Sequence, residues 1–499
     1  MPAGACNASL RAGVESPAAP MLFGTAQFVV FLAVLLLLLQ VLPRRAWNAT
    51  LLSASLLFYT LWIPAYLPLL LVDLGVNYVL LRRMLAAAPG SRARRAWFVT
   101  SIVFTLGLLL YFKYALFLVE NALPFLTSLG MTGVELPEIL LPLGISFYTF
   151  QIISLTADCY AAGSDDELPI GGLARYALYI AFFPQLIAGP ILRGSEFLPQ
   201  LAQGAQPNPE RRRRGIWLLA SGLVKKLVLA DLLLAPFVDA VFASPGVANT
   251  AFHWVAVYAF AFQIYFDFSG YTDMARGIAC WIGFELPENF REPFLSRSPR
   301  EFWQQWHMTL SRWLRLYLFN PLSHALMRRG GPAWDAPAVP IALFVTMTIC
   351  GLWHGAGWNF VLWGALHGVF LIVWRFPIGR DAGPIGWRDV PAILVFFHLF
   401  AITLVFFRVP QPDQAATFLV RLVSDNALPG WPVFETGVVI LCAALHVAER
   451  AWRVHGHVVV HRLADTRWAP YAEAVVLGVL AGAVILSAGA GEEFIYFQF

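Results

Sequence analysis

MLFGTAQFVVFLAVLLLLLQV, from Met21 to Val41, carries no charged residue. A bilayer core of about 30 Å is crossed by roughly 20 apolar helical residues, so this run is long enough to span it. It is too long for a signal-peptide core and no small-x-small cleavage site follows it, so it reads as a retained membrane helix. The pattern recurs along the chain, with apolar segments near 22–42, 48–63, 65–81, 97–118, 139–159, 215–241, 252–283, 339–355, 357–375, 390–408, 432–449 and 470–488. Of the 499 residues, 59% are hydrophobic and 13% charged, against about 25% charged in an average soluble domain. The expected fold class is an all-α polytopic membrane protein with about twelve crossings.

Arginine placement sets the expected topology, because short basic loops stay cytoplasmic. Arg44 and Arg45 follow the first run, Arg82, Arg83, Arg92, Arg94 and Arg95 follow the third, and Arg211 to Arg214 precede another. Seven arginines lie between Arg291 and Arg329, and Arg450, Arg453, Arg462 and Arg467 come near the end. Placing all of these in the cytoplasm puts both termini, including a tail over 1–20, on the extracytoplasmic side. Lys225 and Lys226 read as further topology anchors. Cys159, Cys280, Cys350 and Cys442 fall in spans and Cys6 stands alone, so neither a disulfide framework nor a metal site is expected. His457 and His461 have a two-ligand spacing, but no carboxylate or thiol completes a metal set.

Two stretches, LPLGISF (Leu141–Phe147) and FFPQLIAGPILR (Phe182–Arg193), interrupt the helical pattern with Pro and Gly. Freed backbone groups are tolerated in a bilayer only where protein or a water-filled cavity satisfies them, so each is a kinked helix or a re-entrant segment beside buried contacts. The stretch 284–337 mixes charges with rings. REFWQQWHMTLSRWLRLYLF (Arg300–Phe319) has the alternation of an interfacial amphipathic helix with Trp and Arg at headgroup depth, ended at Asn320-Pro321. No internal repeat is evident, which counts against the commoner secondary transporters.

The candidate chemistry lies in GLWHGAGWNFVLWGALHG, Gly351 to Gly368, within the segment 338–376. An ionisable side chain within a span is costly and is a functional candidate by default, which singles out His354. Gly351, Gly355 and Gly357 allow close backbone approach, while Trp353 and Trp358 are placed to wall a dry pocket. Burial favours an uncharged imidazole, the form that takes a proton from a hydroxyl. The alternative is a packing histidine bonded to a carbonyl. His307, between Trp303, Trp306 and later arginines, is the second candidate, expected near the cytoplasmic surface; ordinary interface chemistry is its alternative. His367 follows His354 by thirteen residues, about 20 Å along an unbroken helix, and is expected to be structural. Asp267 and Asp273 are six residues apart in an apolar run, suited to orient a histidine or to pair with Arg276 or another Arg. No GxSxG elbow, Walker loop or zincin motif occurs, so hydrolase and ATPase classes receive little support.

LPLGISFYTFQ, FFPQLIAGPILR, IYFDFSGYTDMARGIACWIGFELPENFREPF, FWQQWHMTLSRW and GLWHGAGWNFVLWGALHG, in that order, resemble the membrane-bound O-acyltransferase family. The similarity is greatest to the branch that includes the membrane subunit of bacterial alginate O-acetylation. LFYTLW (Leu57–Trp62), YFKY (Tyr111–Tyr114) and FIYFQF (Phe494–Phe499) extend it over nearly the whole chain. The resemblance implies a single helical funnel domain with His354 and His307 as the catalytic pair. Trp306, Trp303, Trp353, Trp358, Asp267, Asp273 and Asn359 would support a substrate tunnel. The chain departs from the family pattern at Gln305, Leu316 and Ser323-His324.

The function implied is O-acyl transfer at the bacterial inner membrane. Acetyl-CoA or another acyl thioester would serve as donor, with no bound cofactor or metal. An extracytoplasmic acetyltransferase-type partner, a polysaccharide acceptor and membrane lipid are the implied partners, and no nucleic acid is expected. A polytopic transporter and a non-catalytic assembly subunit are the competing readings.

Overall fold

The computed structural model describes residues 21–130, 139–162, 168–244, 249–374, 385–424, 430–464, 466 and 468–487, with side chains 457–464 left aside. Cys6, the tail over 1–20, the His457/His461 pair and Phe494–Phe499 lie outside what is described. The architecture is all helical, with no strand among the described residues. Five helical stretches are long and apolar enough to cross a membrane: Pro64–Ala86, Arg92–Ser128, Met308–His354, Trp387–Arg408 and Ala469–Leu486. Ala26–Val41 and Trp358–Val373 are shorter apolar helices. Large apolar side chains point outward on these elements, as Val30, Leu37, Val475 and Ile485 do, which suits a lipid surround. The four described cysteines are free and buried.

The helices divide between two compact units, residues 1–212 with 279–284 and residues 213–278 with 285–499. In the first unit the two Pro/Gly interruptions meet. The chain leaves helix Leu173–Ala181, makes one turn at Phe183–Leu186 and runs extended into helix Gly194–Gln203. This is a full break rather than a kink, and it is buried throughout. Side chains satisfy the freed backbone: Phe183 N–H donates to Ser55 Oγ at 3.1 Å, Gln185 Nε2 to the Tyr179 carbonyl at 2.7 Å, and the Tyr179 hydroxyl to the Leu192 carbonyl at 2.9 Å. Gly144, at φ 67°, presses on the Leu186 carbonyl, where a Cβ would collide. Arg94, read from sequence as a cytoplasmic anchor, is instead buried and donates to the Cys159 carbonyl at 2.9 Å.

In the second unit the stretch after Pro299 departs from the single interfacial helix expected. A short helix, Pro299–Trp303, is followed by a break and by helix Met308–Leu314. A π-helical turn, Arg315–Phe319, leads into Asn320–Gly330. Asn320-Pro321 does not end the helix: the π-helical turn just before it, in which Asn320 N–H donates to the Arg315 carbonyl, carries the helix past the proline. Trp303, Trp306 and Trp313 are buried among other side chains. The reason is packing: Trp306 stacks on Phe302 at 5.6 Å and meets Phe290 edge-on at 5.1 Å.

Candidate active site

His354 is the last residue of helix Asp335–His354, and helix Trp358–Val373 begins after a turn through Gly355 and Gly357, both with extended backbone. The two helices pack tightly as a hairpin because Gly351 and Gly364 stand where they touch. A Cβ on Gly351 would collide with the Phe360 carbonyl, and one on Gly364 with the Met347 carbonyl. The break corrects the expected 20 Å separation of His354 and His367, which held only for one continuous helix. Both rings lie against Trp363, at centroid distances of 5.2 and 4.6 Å. His354, 4% exposed, also meets Phe407 at 5.2 Å and Trp353 at 5.0 Å.

His307 sits between the two short helices, at φ 42° and ψ 54°. A non-glycine residue held in the left-handed region costs of order 1–3 kcal/mol, so its surroundings must fix it there. Asn289 does so. Met308 N–H donates to the Asn289 carbonyl at 2.9 Å, and Thr309 donates to Asn289 Oδ1 from its N–H at 3.1 Å and its hydroxyl at 2.9 Å. His307 Nδ1 lies 3.2 Å from the same oxygen. Because the Thr309 N–H identifies that atom as the acceptor oxygen, Nδ1 carries the His307 proton and Nε2 keeps its lone pair. Nε2 is buried and makes no hydrogen bond among the described residues. Complete burial lowers the imidazole pKa from its ordinary value, so the ring is neutral. This corrects the expectation of a surface position: His307 is 0% exposed.

The loop bearing Asn289 is itself braced. Arg453 pairs with Glu288 at 2.7 Å and with Glu292 at 2.6 Å, and Arg291 pairs with Glu288 at 2.7 Å. Burial opposes ionisation of Glu288, but Arg291 and Arg453 outweigh it and hold its pKa below the ordinary value. Gln305, with its NH2 turned toward the loop, donates to the Arg291 and Glu292 carbonyls at 2.7 and 3.0 Å. Gln305 thereby braces the loop with two N–H bonds.

The two candidate histidines converge on one indole. Trp353 lies 6.4 Å from the His307 ring and 5.0 Å from the His354 ring, centroid to centroid. Phe268, 4.7 Å from His307, and Phe407 beside His354 extend the aromatic walls. A pair of imidazoles among rings, with one nitrogen lone pair open, is suited to moving a proton on and off a reactant oxygen or sulfur in a dry place.

Comparison with known proteins accords with this geometry. Residues 164–403 match the model of the membrane-bound O-acyltransferase family. The probable alginate O-acetylase AlgI of Azotobacter vinelandii is 37% identical, over 79% of this chain and 76% of its own. The AlgI protein of Pseudomonas aeruginosa is 38% identical, over 78% and 72% respectively. A peptidoglycan O-acetyltransferase of Helicobacter pylori is 32% identical over 89% of this chain and 85% of its own. The chain belongs to the membrane-bound O-acyltransferase family. Membership and the apolar helices make it a membrane-embedded protein, and the named activities of its relatives support the O-acyltransferase class.

Within this O-acyltransferase framework the other sequence candidates separate into distinct places. Trp303 joins the ring cluster, 5.4 Å from His367 and 6.0 Å from Trp363. Trp306 lies among the rings that back it. Trp358 does not wall the pocket: it opens its helix facing outward, 55% exposed, and Trp363 one turn further along takes the inner place. Asn359 donates to the Val409 carbonyl, tying the hairpin to the next helix. Asp267 and Asp273 do not touch the histidines. Asp267 pairs with Lys226 at 2.6 Å, Lys226 also with Asp231 at 2.9 Å, and Asp273 with Lys225 at 3.0 Å and Arg276 at 3.4 Å. Lys225 and Lys226, read from sequence as topology anchors, are thus also internal ion-pair partners. Sequence reasoning missed Asn289, Trp363 and Phe407. The ELPENF stretch held a signal for the first, since a lone amide in a loop rich in Pro and Glu invites a search for its partner.

Proposed function

We propose that the protein is an inner-membrane O-acyltransferase, with both termini extracytoplasmic. It moves an acyl group, acetyl in the first instance, from a cytoplasmic thioester such as acetyl-CoA. The acceptor is a hydroxyl of an extracytoplasmic polysaccharide, or a partner protein that delivers the group to one. The convergence of His307 and His354 on Trp353 within one buried ring cluster carries this reading. Relatives named for alginate and peptidoglycan support a cell-surface glycan as the acceptor.

The acceptor hydroxyl attacks the thioester carbonyl while His354 takes its proton. The carbon–sulfur bond then breaks, and the departing sulfur receives the proton from the imidazolium, leaving an ester and a free thiol. A thioester needs little help in losing its sulfur, so orientation and proton removal supply most of the acceleration. His307 takes a narrower part. With its proton on Nδ1 and held by Asn289, it offers a lone pair and no donor at Nε2. It therefore positions the acceptor by taking a hydrogen bond from a neighbouring hydroxyl of the glycan, while the reacting hydroxyl gives its proton to His354, and it does not polarise the carbonyl.

The test is release of free coenzyme A from acetyl-CoA by the purified protein, with alginate oligosaccharides and peptidoglycan fragments as acceptors. Acceptor-dependent thiol release, with acetyl ester appearing on the glycan, is the expected outcome. Protein that binds acetyl-CoA but releases no thiol with any acceptor overturns the reading.

A further inference from the structure

A cleft of about 650 Å³ opens in the first unit between the segment after helix Ala26–Val41, the start of helix Leu173–Ala181 and the turn that follows helix Gly194–Gln203. Arg44, Arg45 and Arg175 line it, and among the described residues no carboxylate does. Its charge is not compensated from within. Arg175 donates to the neutral Pro169 carbonyl at 3.2 Å, and the Arg44 guanidinium lies 5.8 Å over the Trp47 ring. Arg45 is exposed and forms no hydrogen bond or ion pair among the described residues. The exposed amide of Gln203 adds a neutral donor to the lining.

The depth of the cleft narrows the ligand. Helix Ala26–Val41 presents Val34, Leu37, Leu38 and Val41 outward, and Arg44 comes three residues after its end. Arginines just past an apolar helix end stand where lipid phosphates lie. Trp47 Nε1–H donates to the Leu42 carbonyl at 3.2 Å, so the indole is fixed at the same level. Asn48 donates to the Leu201 carbonyl at 2.9 Å, pinning one wall to the opposite one. Guanidinium forks match phosphate oxygens two at a time, and several around one cleft suit an anion with more than one such face.

We propose that the cleft bounded by Arg44, Arg45 and Arg175 binds a phosphate ester. Two sources share that chemistry, the headgroup of an anionic lipid and the phosphates of a nucleotide-bearing molecule such as coenzyme A. The inference stands apart from the acyl-transfer reading, because none of its residues belongs to the histidine cluster.

The experiment uses the full-length protein in a neutral detergent. Binding of short-chain phosphatidylglycerol is followed by native mass spectrometry, and binding of coenzyme A by calorimetry at low salt. Arg45→Gln is the primary variant, since its exposed side chain holds nothing in the fold; a melting curve accompanies it. The single change is expected to weaken one of the two ligands about fivefold, as expected for one basic charge near a headgroup. Arg44→Gln/Arg45→Gln/Arg175→Gln is expected to abolish that binding. Loss confined to phosphatidylglycerol identifies a lipid site, and loss confined to coenzyme A a nucleotide site. Unchanged binding of both ligands in Arg45→Gln protein that melts like wild type overturns the proposal.

Discussion

The second unit buries ionisable side chains in two different ways. Around Lys225 and Lys226 every charge found its opposite. Lys226 lies between Asp231 and Asp267, Lys225 contacts Asp273 and Glu449, and Glu449 takes a further hydrogen bond from Tyr265 at 2.8 Å. Around His307 and His354 the neighbours are rings, and the one polar partner of His307 is a neutral amide. The difference teaches what each region is for. A closed set of buried ion pairs has no capacity left for a reactant and acts on the fold. Imidazoles in an aromatic shell, of which His307 is neutral with an open nitrogen, keep their chemistry available.

Lys226→Met is the harshest way to break that contrast. It leaves Asp231 and Asp267 buried without a cation, and a broken buried pair costs about 3–5 kcal/mol. The melting temperature should fall sharply, and adding Asp267→Asn should recover part of the loss; an unaltered melt would show the network is not structural. His307→Ala is expected to do the reverse, lowering acyl transfer about 10²-fold, the size of effect expected when a reactant is no longer held in place, with the melt near wild type. If the protein instead fails to fold, His307 belongs with the structural group.

Asn289→Leu should lower transfer about tenfold, in the range of lost partners that orient a reacting group. Asn289→Asp separates orientation from packing. It keeps an acceptor for His307 Nδ1 and for Thr309 but adds a negative charge, which raises the imidazole pKa. The ring then protonates at higher pH, so the acidic limb of the kcat/KM profile should move upward; an unmoved limb would remove His307 from the titrating machinery. The smallest effect belongs to Trp358→Ala. Its side chain is largely exposed, so transfer should stay near wild type, with stability changed by no more than about 0.5 kcal/mol.

Much of this was legible in the sequence. Apolar run length gave an all-helical membrane protein, and the Pro/Gly stretches at Leu141–Phe147 and Phe182–Arg193 marked real breaks. His354 and His307 stood out because an imidazole is rare among so many rings. What sequence could not supply was the fold of the chain after each break. The turn at Gly355–Gly357 folds Trp363, with His367 beside it on the same helix, back onto His354 and turns Trp358 outward, which a spacing argument along one helix reverses. Residues 304–307 looked like part of an amphipathic helix because Trp and Arg recur at helical spacing. Their left-handed turn at His307 depends on Asn289, eighteen residues earlier. Lys225 and Lys226 looked like topology anchors because Asp267, Asp273 and Glu449, which pair with them, lie on other helices. Charge patterns along one segment do not show pairing across several.

The most direct test of the account is thiol release from acetyl-CoA by His354→Ala beside wild type, in the same preparation and with the melting curve taken in parallel. The account predicts a loss of about 10²–10⁴-fold in a protein that inserts and melts like wild type. Transfer at the wild-type rate would contradict the assignment of His354 as the base.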